Sequence, residues 1–416
     1  MVMSTGVAKA QVRPEIELLL SCARTQVKPE SANHIRDLAS QQIDWEYLLA
    51  TAFSHGVMPV LYRNLSALCP GAIPHPIRND VRNWFQSHVQ RNLRLTRELL
   101  RLIRILGERG IRTLPYKGPV LAAAVYGDIS LRFFSDLDIL VDKSDVLQAK
   151  EIILAHGYKL RKPLTDDQEA ARLRSKNEKD LAFIDLEDIV KVELHWEVAS
   201  LALFPLETRR LWDRLERFNL GGTKVLNLPT EDLLLVLCVH GAKHFFCRVE
   251  WICDIGELLA STSELDWAKV LEQSKRLRIK RMLFLGLILA RDMLGAVVPA
   301  EISRDLDNDV ETQILAERVR GSLFREPNAS LEVVKRHFHR IGLRERSSDR
   351  MRLRLYFLKD YLRALVTPNE EDSSQFRLPS TLSFLYGILR PVRLVKAYGL
   401  NLLITKGNRK RRDSST

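Results

Sequence analysis

The stretch Leu131–Val141, LRFFSDLDILV, narrows the folds open to this chain more than any other. In an extended conformation it sends Asp136 and Asp138 to one face and Leu137, Ile139 and Val141 to the other, because side chains alternate along a strand. The apolar side can then be buried in a sheet while two carboxylates leave it together. Two like charges so placed repel, and a divalent cation between them removes the conflict. Hard oxygen ligands facing solvent suit Mg²⁺, which binds through one or two carboxylates and substrate phosphates, with Mn²⁺ as the alternative ion.

A strand needs neighbours, and the surrounding sequence offers them. After Gly110 a short strand is expected over Ile111–Leu114, then a turn at Pro115–Gly118 and a small-residue helix over Pro119–Tyr126. A helix over Ser144–His156 stops at Gly157, and two further strands, about Leu181–Leu186 and Ile189–Trp196, are joined by Glu187 and Asp188. In the second of these, KVELHWEV, Glu193 shares a face with His195 and Glu197, while Val192, Leu194 and Trp196 share the other. Glu193 is thus a third carboxylate on a neighbouring strand. Helical spacing dominates before this unit, with a long run from Trp84 to Leu106, and again beyond Ser200, where Thr230 precedes Glu231 and Asp232 as a helix start. Arg91, Arg94, Arg97, Arg101 and Arg104 form a basic stripe on the long helix, expected to be a solvated face.

The reading is therefore an α+β fold: a small mixed sheet with flanking helices, set between helical regions. Its expected segments are 1–95 (N-terminal helices), 96–200 (the sheet-bearing core), 201–365 (C-terminal helices) and 366–416 (an acidic linker, VTPNEEDSS, and a basic tail). A chain of 416 residues with 46% hydrophobic content can bury the cores this requires. Five cysteines without paired spacing indicate neither a disulfide framework nor a zinc module. Lys9, Arg13, Glu15 and Glu17 interrupt any secretory apolar region, and Met282–Ala290 and Leu378–Leu389 fall short of the roughly 18 to 20 residues that span a bilayer. A cytoplasmic protein is expected. A net charge of +12 favours polyanionic partners.

Three carboxylates from two neighbouring strands can hold metal ions that bridge a triphosphate, polarise its phosphorus and help deprotonate an attacking hydroxyl. Around them stands an ordered set: Lys117-Gly118, Tyr126, Arg132, Ser135-Asp136-Leu137-Asp138 and Glu193-Leu194-His195-Trp196. This set resembles the polymerase-beta-type nucleotidyltransferase superfamily and, more narrowly, the bacterial family of uncharacterised nucleotidyltransferases, over roughly residues 100 to 260. The resemblance implies the mixed-sheet fold, Mg²⁺ dependence, an NTP (ATP among them) as donor and pyrophosphate as leaving group. It makes Asp136 and Asp138 metal ligands, and Glu193 the third ligand or the base that activates the acceptor. Lys117, Gly118, Arg132, Ser135 and Lys243 form the expected nucleotide-binding set.

The phosphate turn departs from the superfamily, which has Gly-Ser or Gly-Gly where this chain has Lys117-Gly118-Pro119. Gly118 still lets backbone approach a phosphate, Pro119 fits the first turn of a helix whose amides face an anion, and the charge of Lys117 replaces the missing hydroxyl. Arg132 either contacts a phosphate or pairs with a nearby acid. Ser135 caps its local turn more readily than it reacts, for want of a base. His195 orients a carboxylate or an acceptor, or is structural. His240 and His244 sit one helical turn apart in a segment, with Lys243, Trp251 and Asp254, that also resembles the family; they suit an acceptor pocket or packing better than zinc.

Two other functions stay open at this point. One is a catalytically degenerate nucleotide-binding protein. The other is an accessory protein of a biosynthetic pathway, peripheral at the inner face of the membrane. Nine basic residues and no acids between Phe376 and Arg412 suit residues 376–416 to an anionic membrane surface, to nucleic acid or to a solvated helix end. The acceptor itself, whether small molecule, protein side chain or tRNA end, leaves no mark in the sequence.

Overall fold

Leu137, Ile139 and Val141 are fully buried, and their burial fixes the place of the central strand β2 (Asp136–Val141). The computed structural model describes residues 13–175, 178–198, 211–325 and 341–366. Strand β2 pairs antiparallel with β1 (Thr113–Pro115) and parallel with β5 (Lys191–His195). Beyond β5 lie β4 (Asp180–Asp185) and the edge strand β3 (Tyr158–Leu160), giving a five-stranded mixed sheet of order β1-β2-β5-β4-β3. The expected α+β architecture is the one observed.

Two faces of β2 serve two cores. Leu137, Ile139 and Val141 join Val192 and Leu194 of β5 in a cluster with Leu99 and Leu102 of α5 (His75–Gly107) and Ile153 of α7 (Val146–Ala155). Leu140, on the face shared with Asp136 and Asp138, belongs instead to a larger cluster built mostly from helices. That cluster takes in α1 (Pro14–Cys22), α2 (Pro29–Ala39), α3 (Trp45–Ser54), α4 (Met58–Leu68), α6 (Gly118–Val125), α9 (Thr230–Lys243) and α10 (Val249–Ser261). The helices α11 (Trp267–Arg276), α12 (Lys280–Leu294), α13 (Ala300–Asn308) and α14 (Val310–Leu323) complete it. The apolar run Met282–Ala290 is the buried centre of α12, and among the described residues no helix is long and apolar enough to cross a membrane.

The chain divides into two compact units, Met1–Glu345 and Arg346–Thr416. The first carries everything described above. The second contributes α15 (Ser347–Val366). The acidic linker and the basic tail over 376–416 lie outside the described residues.

Two local expectations need correction, and one helix goes unread in the sequence. The chain beyond Ser200 is not helical throughout: β6 (Glu216–Leu220) and β7 (Thr223–Asn227) form a hairpin turned by Gly221 and Gly222, both at positive φ as a tight two-residue turn requires. Thr230 begins α9 as expected, with Pro229 as its cap and no side-chain cap bond. A helix unread in the sequence, α8 (Asp166–Arg174), is held by a reciprocal capping box between Thr165 and Gln168. The arginine stripe of α5 is only partly solvated: Arg94, Arg97 and Arg104 are exposed, Arg91 donates to the Phe134 carbonyl, and Arg101 chelates Glu98 on its own helix.

Candidate active site

Parallel pairing of β2 with β5 sets Asp138 directly opposite Glu193 and Asp136 opposite Lys191. His195, the last residue of β5, is fully buried, and its Nε2 lies 2.9 Å from Asp138 Oδ1 and 3.2 Å from Glu193 Oε2. Asp138, Glu193 and His195 thereby bring one ligand atom each to within 4.8 Å of one another. Asp136 is half-buried on the same face of β2 but is not part of this cluster. The trio expected from the sequence is thus brought together in part. Asp138 and Glu193 meet, His195 joins them, and Asp136 stands at the margin.

The charges respond to this packing. Burial alone raises the carboxyl of Asp138, but the Lys117 ammonium and the His195 hydrogen bond outweigh it and hold Asp138 far below the usual carboxylate range. The same imidazole lowers Glu193, against the effect of burial. Asp136 moves the other way, raised first by burial and then by the neighbouring Asp138 charge.

Lysines supply the opposite sign. Lys117 precedes α6 and places Nζ 3.0 Å from Asp138 Oδ1. Burial disfavours its charge, but Asp138 and Asp136 more than restore it. Gly118 follows at φ +57°, a left-handed conformation that lets the turn run close to the Asp136 carbonyl. Lys243, at the C-terminal end of α9, is pushed down to about 8 by burial and by the charges of Lys179 and Lys117. Lys179, which sequence reasoning missed, reaches His195 Nδ1 at 3.3 Å and Asp180 Oδ1 at 3.2 Å. Its signal was present only in register: Asp180 pairs with His195, so the preceding residue arrives beside the imidazole. An ammonium can only donate, so Nδ1 accepts and Nε2 carries the proton shared between Asp138 and Glu193.

Of the two roles open to Arg132, the pair with an acid is the one its geometry displays. Its Nε and Nη2 donate to Asp254 Oδ1 and Oδ2 at 2.7 and 2.8 Å in a buried bidentate pair, and the Tyr126 hydroxyl donates to the same carboxylate at 2.7 Å. The approach to β2 is fixed from the other side by α5. Asn92 Nδ2 donates to the Ile129 and Arg132 carbonyls at 2.6 and 3.0 Å, and His88 stacks between Trp84 and Phe133. Neither Asn92 nor His88 was singled out from the sequence, because their partners lie about forty residues away. Ser135 is exposed immediately before β2.

His240 and His244 lie at the C-terminal end of α9, and the charges of Lys117 and Asp138 both act on His240. Their rings lie 5.0 Å apart, and each packs on Trp251, at 5.6 and 5.1 Å. Burial and then the Lys117 charge hold His240 well below the ordinary histidine range, so it is neutral. Neither histidine belongs to the metal-capable grouping found among the described residues. Among the described residues the five cysteines form no disulfide, and Cys22, Cys238 and Cys253 are buried.

The model of a family described as uncharacterised nucleotidyltransferase matches residues 41–295. No curated protein and no solved structure matches the chain.

Proposed function

The chain belongs to the uncharacterised nucleotidyltransferase family, and we propose that it transfers NMP from an NTP to a hydroxyl-type acceptor with release of pyrophosphate. The observation that carries this reading is the pairing of Asp138 with Glu193 across β2 and β5, beside Asp136. In the reaction the acceptor oxygen bonds to the α-phosphorus, and the bond from that phosphorus to the β-phosphate bridging oxygen breaks. The acceptor's proton passes to a base, for which Glu193, kept ionised by His195, is suited.

Hard carboxylate oxygens on one face fit a divalent cation, Mg²⁺ or Mn²⁺, held by Asp136, Asp138 and Glu193. Bound there, the ion would neutralise phosphate charge and make the acceptor hydroxyl more acidic. Lys117, Lys179 and Lys243 contribute fixed positive charge for a triphosphate, and the first amides of α6 face an anion favourably. His195 donates to both Asp138 and Glu193 and so fixes their orientation. Burial of the strand face excludes water from the Asp138 side.

Incubation with α-labelled NTPs, Mg²⁺ and a cell extract tests the proposal. Label transfer or pyrophosphate release is expected, and it should vanish in Asp136→Ala with Asp138→Ala. Equal release by the double variant would refute it. A second reading, nucleotide binding without transfer, draws on one observation: the Lys117 ammonium already occupies Asp138 Oδ1. Tight NTP binding with no turnover on any acceptor would favour it. Recruitment to an anionic membrane through residues 376–416 is a separate proposal, tested by salt-sensitive liposome binding of the full chain against a chain ending at 375.

A further inference from the structure

We infer that the cation site of this protein includes a nitrogen ligand, His195 Nε2, alongside Asp138 and Glu193, and that it therefore prefers a divalent transition ion to Mg²⁺. The inference deepens the metal-dependent reading above and rests on it only for the presence of a cation.

Geometry is the first support. Ligands at about 2.1 Å from one ion and at right angles to each other lie about 3 Å apart. His195 Nε2 stands 2.9 Å from Asp138 Oδ1 and 3.2 Å from Glu193 Oε2, so each oxygen has the spacing from Nε2 of neighbouring ligands on one ion, and the three ligand atoms lie within 4.8 Å of one another. The second support is preorganisation. His195 is 1% exposed, sits in register on β5 and meets the edge of Tyr116 at a ring separation of 5.5 Å, so the ring needs no reorientation to bring Nε2 to the ion, only the transfer of its proton to Nδ1. The third is donor chemistry: imidazole suits borderline ions, whereas Mg²⁺ prefers oxygen and water.

The surrounding hydrogen bonds allow the required change. Ligation by Nε2 moves the imidazole proton to Nδ1, a tautomer shift with no net proton loss. Lys179 then ceases to donate to Nδ1 and keeps its contact with Asp180 at 3.2 Å. Lys117 likewise yields Asp138 Oδ1, which lies 3.0 Å from its Nζ.

Pulsed electron paramagnetic resonance of Mn²⁺ bound to the full-length protein reads the ligand directly. A nitrogen coupling is expected, changing when the protein is labelled with ¹⁵N-histidine and disappearing in His195→Gln. Competition titrations should show that His195→Gln lowers the preference for Mn²⁺ over Mg²⁺ by roughly tenfold or more. Bound Mn²⁺ without nitrogen coupling in the wild-type protein overturns the inference, and this outcome does not depend on the variant folding. So does an unchanged Mn²⁺ to Mg²⁺ ratio in a folded His195→Gln protein, or failure of either ion to bind at millimolar concentration. NMP transfer without the coupling leaves the proposed function standing, while the coupling without transfer refutes the function alone.

Discussion

Lys117 Nζ lies 3.0 Å from Asp138 Oδ1, so an ammonium holds the carboxylate that the proposed divalent cation would share. Each cation weakens the other's hold on that oxygen, and both are useful to a triphosphate. Replacing Lys117 with Met should therefore tighten Mn²⁺ binding, by about tenfold for one charge removed at this range, while lowering NMP transfer. Titration of Mn²⁺ by its magnetic resonance signal measures the first effect and pyrophosphate release the second. A variant with unaltered Mn²⁺ affinity would mean that Lys117 does not compete for the site.

The unequal placement of the two β2 carboxylates predicts unequal consequences. Asp138 is buried against His195, Glu193 and Lys117, whereas Asp136 lies outside that cluster. Transfer should fall by roughly a hundredfold or more in Asp138→Asn and by less in Asp136→Asn, with both proteins still folded. Initial rates of pyrophosphate release on matched preparations, with circular dichroism as the folding control, decide the order.

The buried pair of Arg132 and Asp254 should matter for stability. Removing one partner strands a charge away from water, at a cost of about 3–5 kcal/mol. Arg132→Ala is therefore expected to lower the midpoint of denaturant unfolding markedly. Asp254 accepts from both Arg132 and Tyr126, so an apolar double replacement, Arg132→Met with Asp254→Leu, should recover much of the loss once Tyr126 is made Phe. If Arg132→Ala alone unfolds no more easily than the wild type, the pair has no structural weight.

Glu250 gives a pH signature. Its Oε2 lies against Gly56 and has no hydrogen-bond partner among the described residues, and burial raises its carboxyl to about 7 despite Arg132 and Arg248. The folded state then holds a proton that the unfolded state has released between about pH 4.5 and 7, so this group's stability contribution is lost as pH rises through that window. His55, pushed down to about 4 mainly by burial, has the opposite slope over much of the same range. The expectation is therefore stated as a difference. Glu250→Gln should gain on the wild type as pH rises from 5 to 7.5, by up to roughly 3 kcal/mol. Denaturant melts at the two pH values measure it, and parallel curves would exclude a titrating Glu250.

Much of this site was readable because its signals are local. Alternation in LRFFSDLDILV fixes β2 and the direction of its carboxylates, and the same pattern in KVELHWEV fixes Glu193 and His195. The rest depends on pairings that no local period encodes. Asp254 finds Arg132 from 122 residues away, and Lys179 meets His195 only because β4 and β5 are in a particular register. The hairpin of β6 and β7 was hidden by a different cause. Its Gly221-Gly222 turn is a local signal, but the strands flanking it are short and mostly exposed, leaving little hydrophobic alternation to read. Edge strand β3, three residues long, has the same weakness.

The parallel contact between β2 and β5 also bears on how the molecule comes into being. His195 and Asp138 are 57 residues apart in the chain, and α7, β3, α8 and β4 lie between the two strands that bring them together. Contacts of such separation are slow to form, since loop closure is required before the pairing rewards it. During synthesis Lys117 emerges ahead of the β2 carboxylates, whereas His195 follows Asp138 by 57 residues, so the cluster is complete only after β5 has left the ribosome. On the metal-dependent reading proposed above, protection of β2 and β5 by added Mn²⁺ would therefore follow completion of the central sheet.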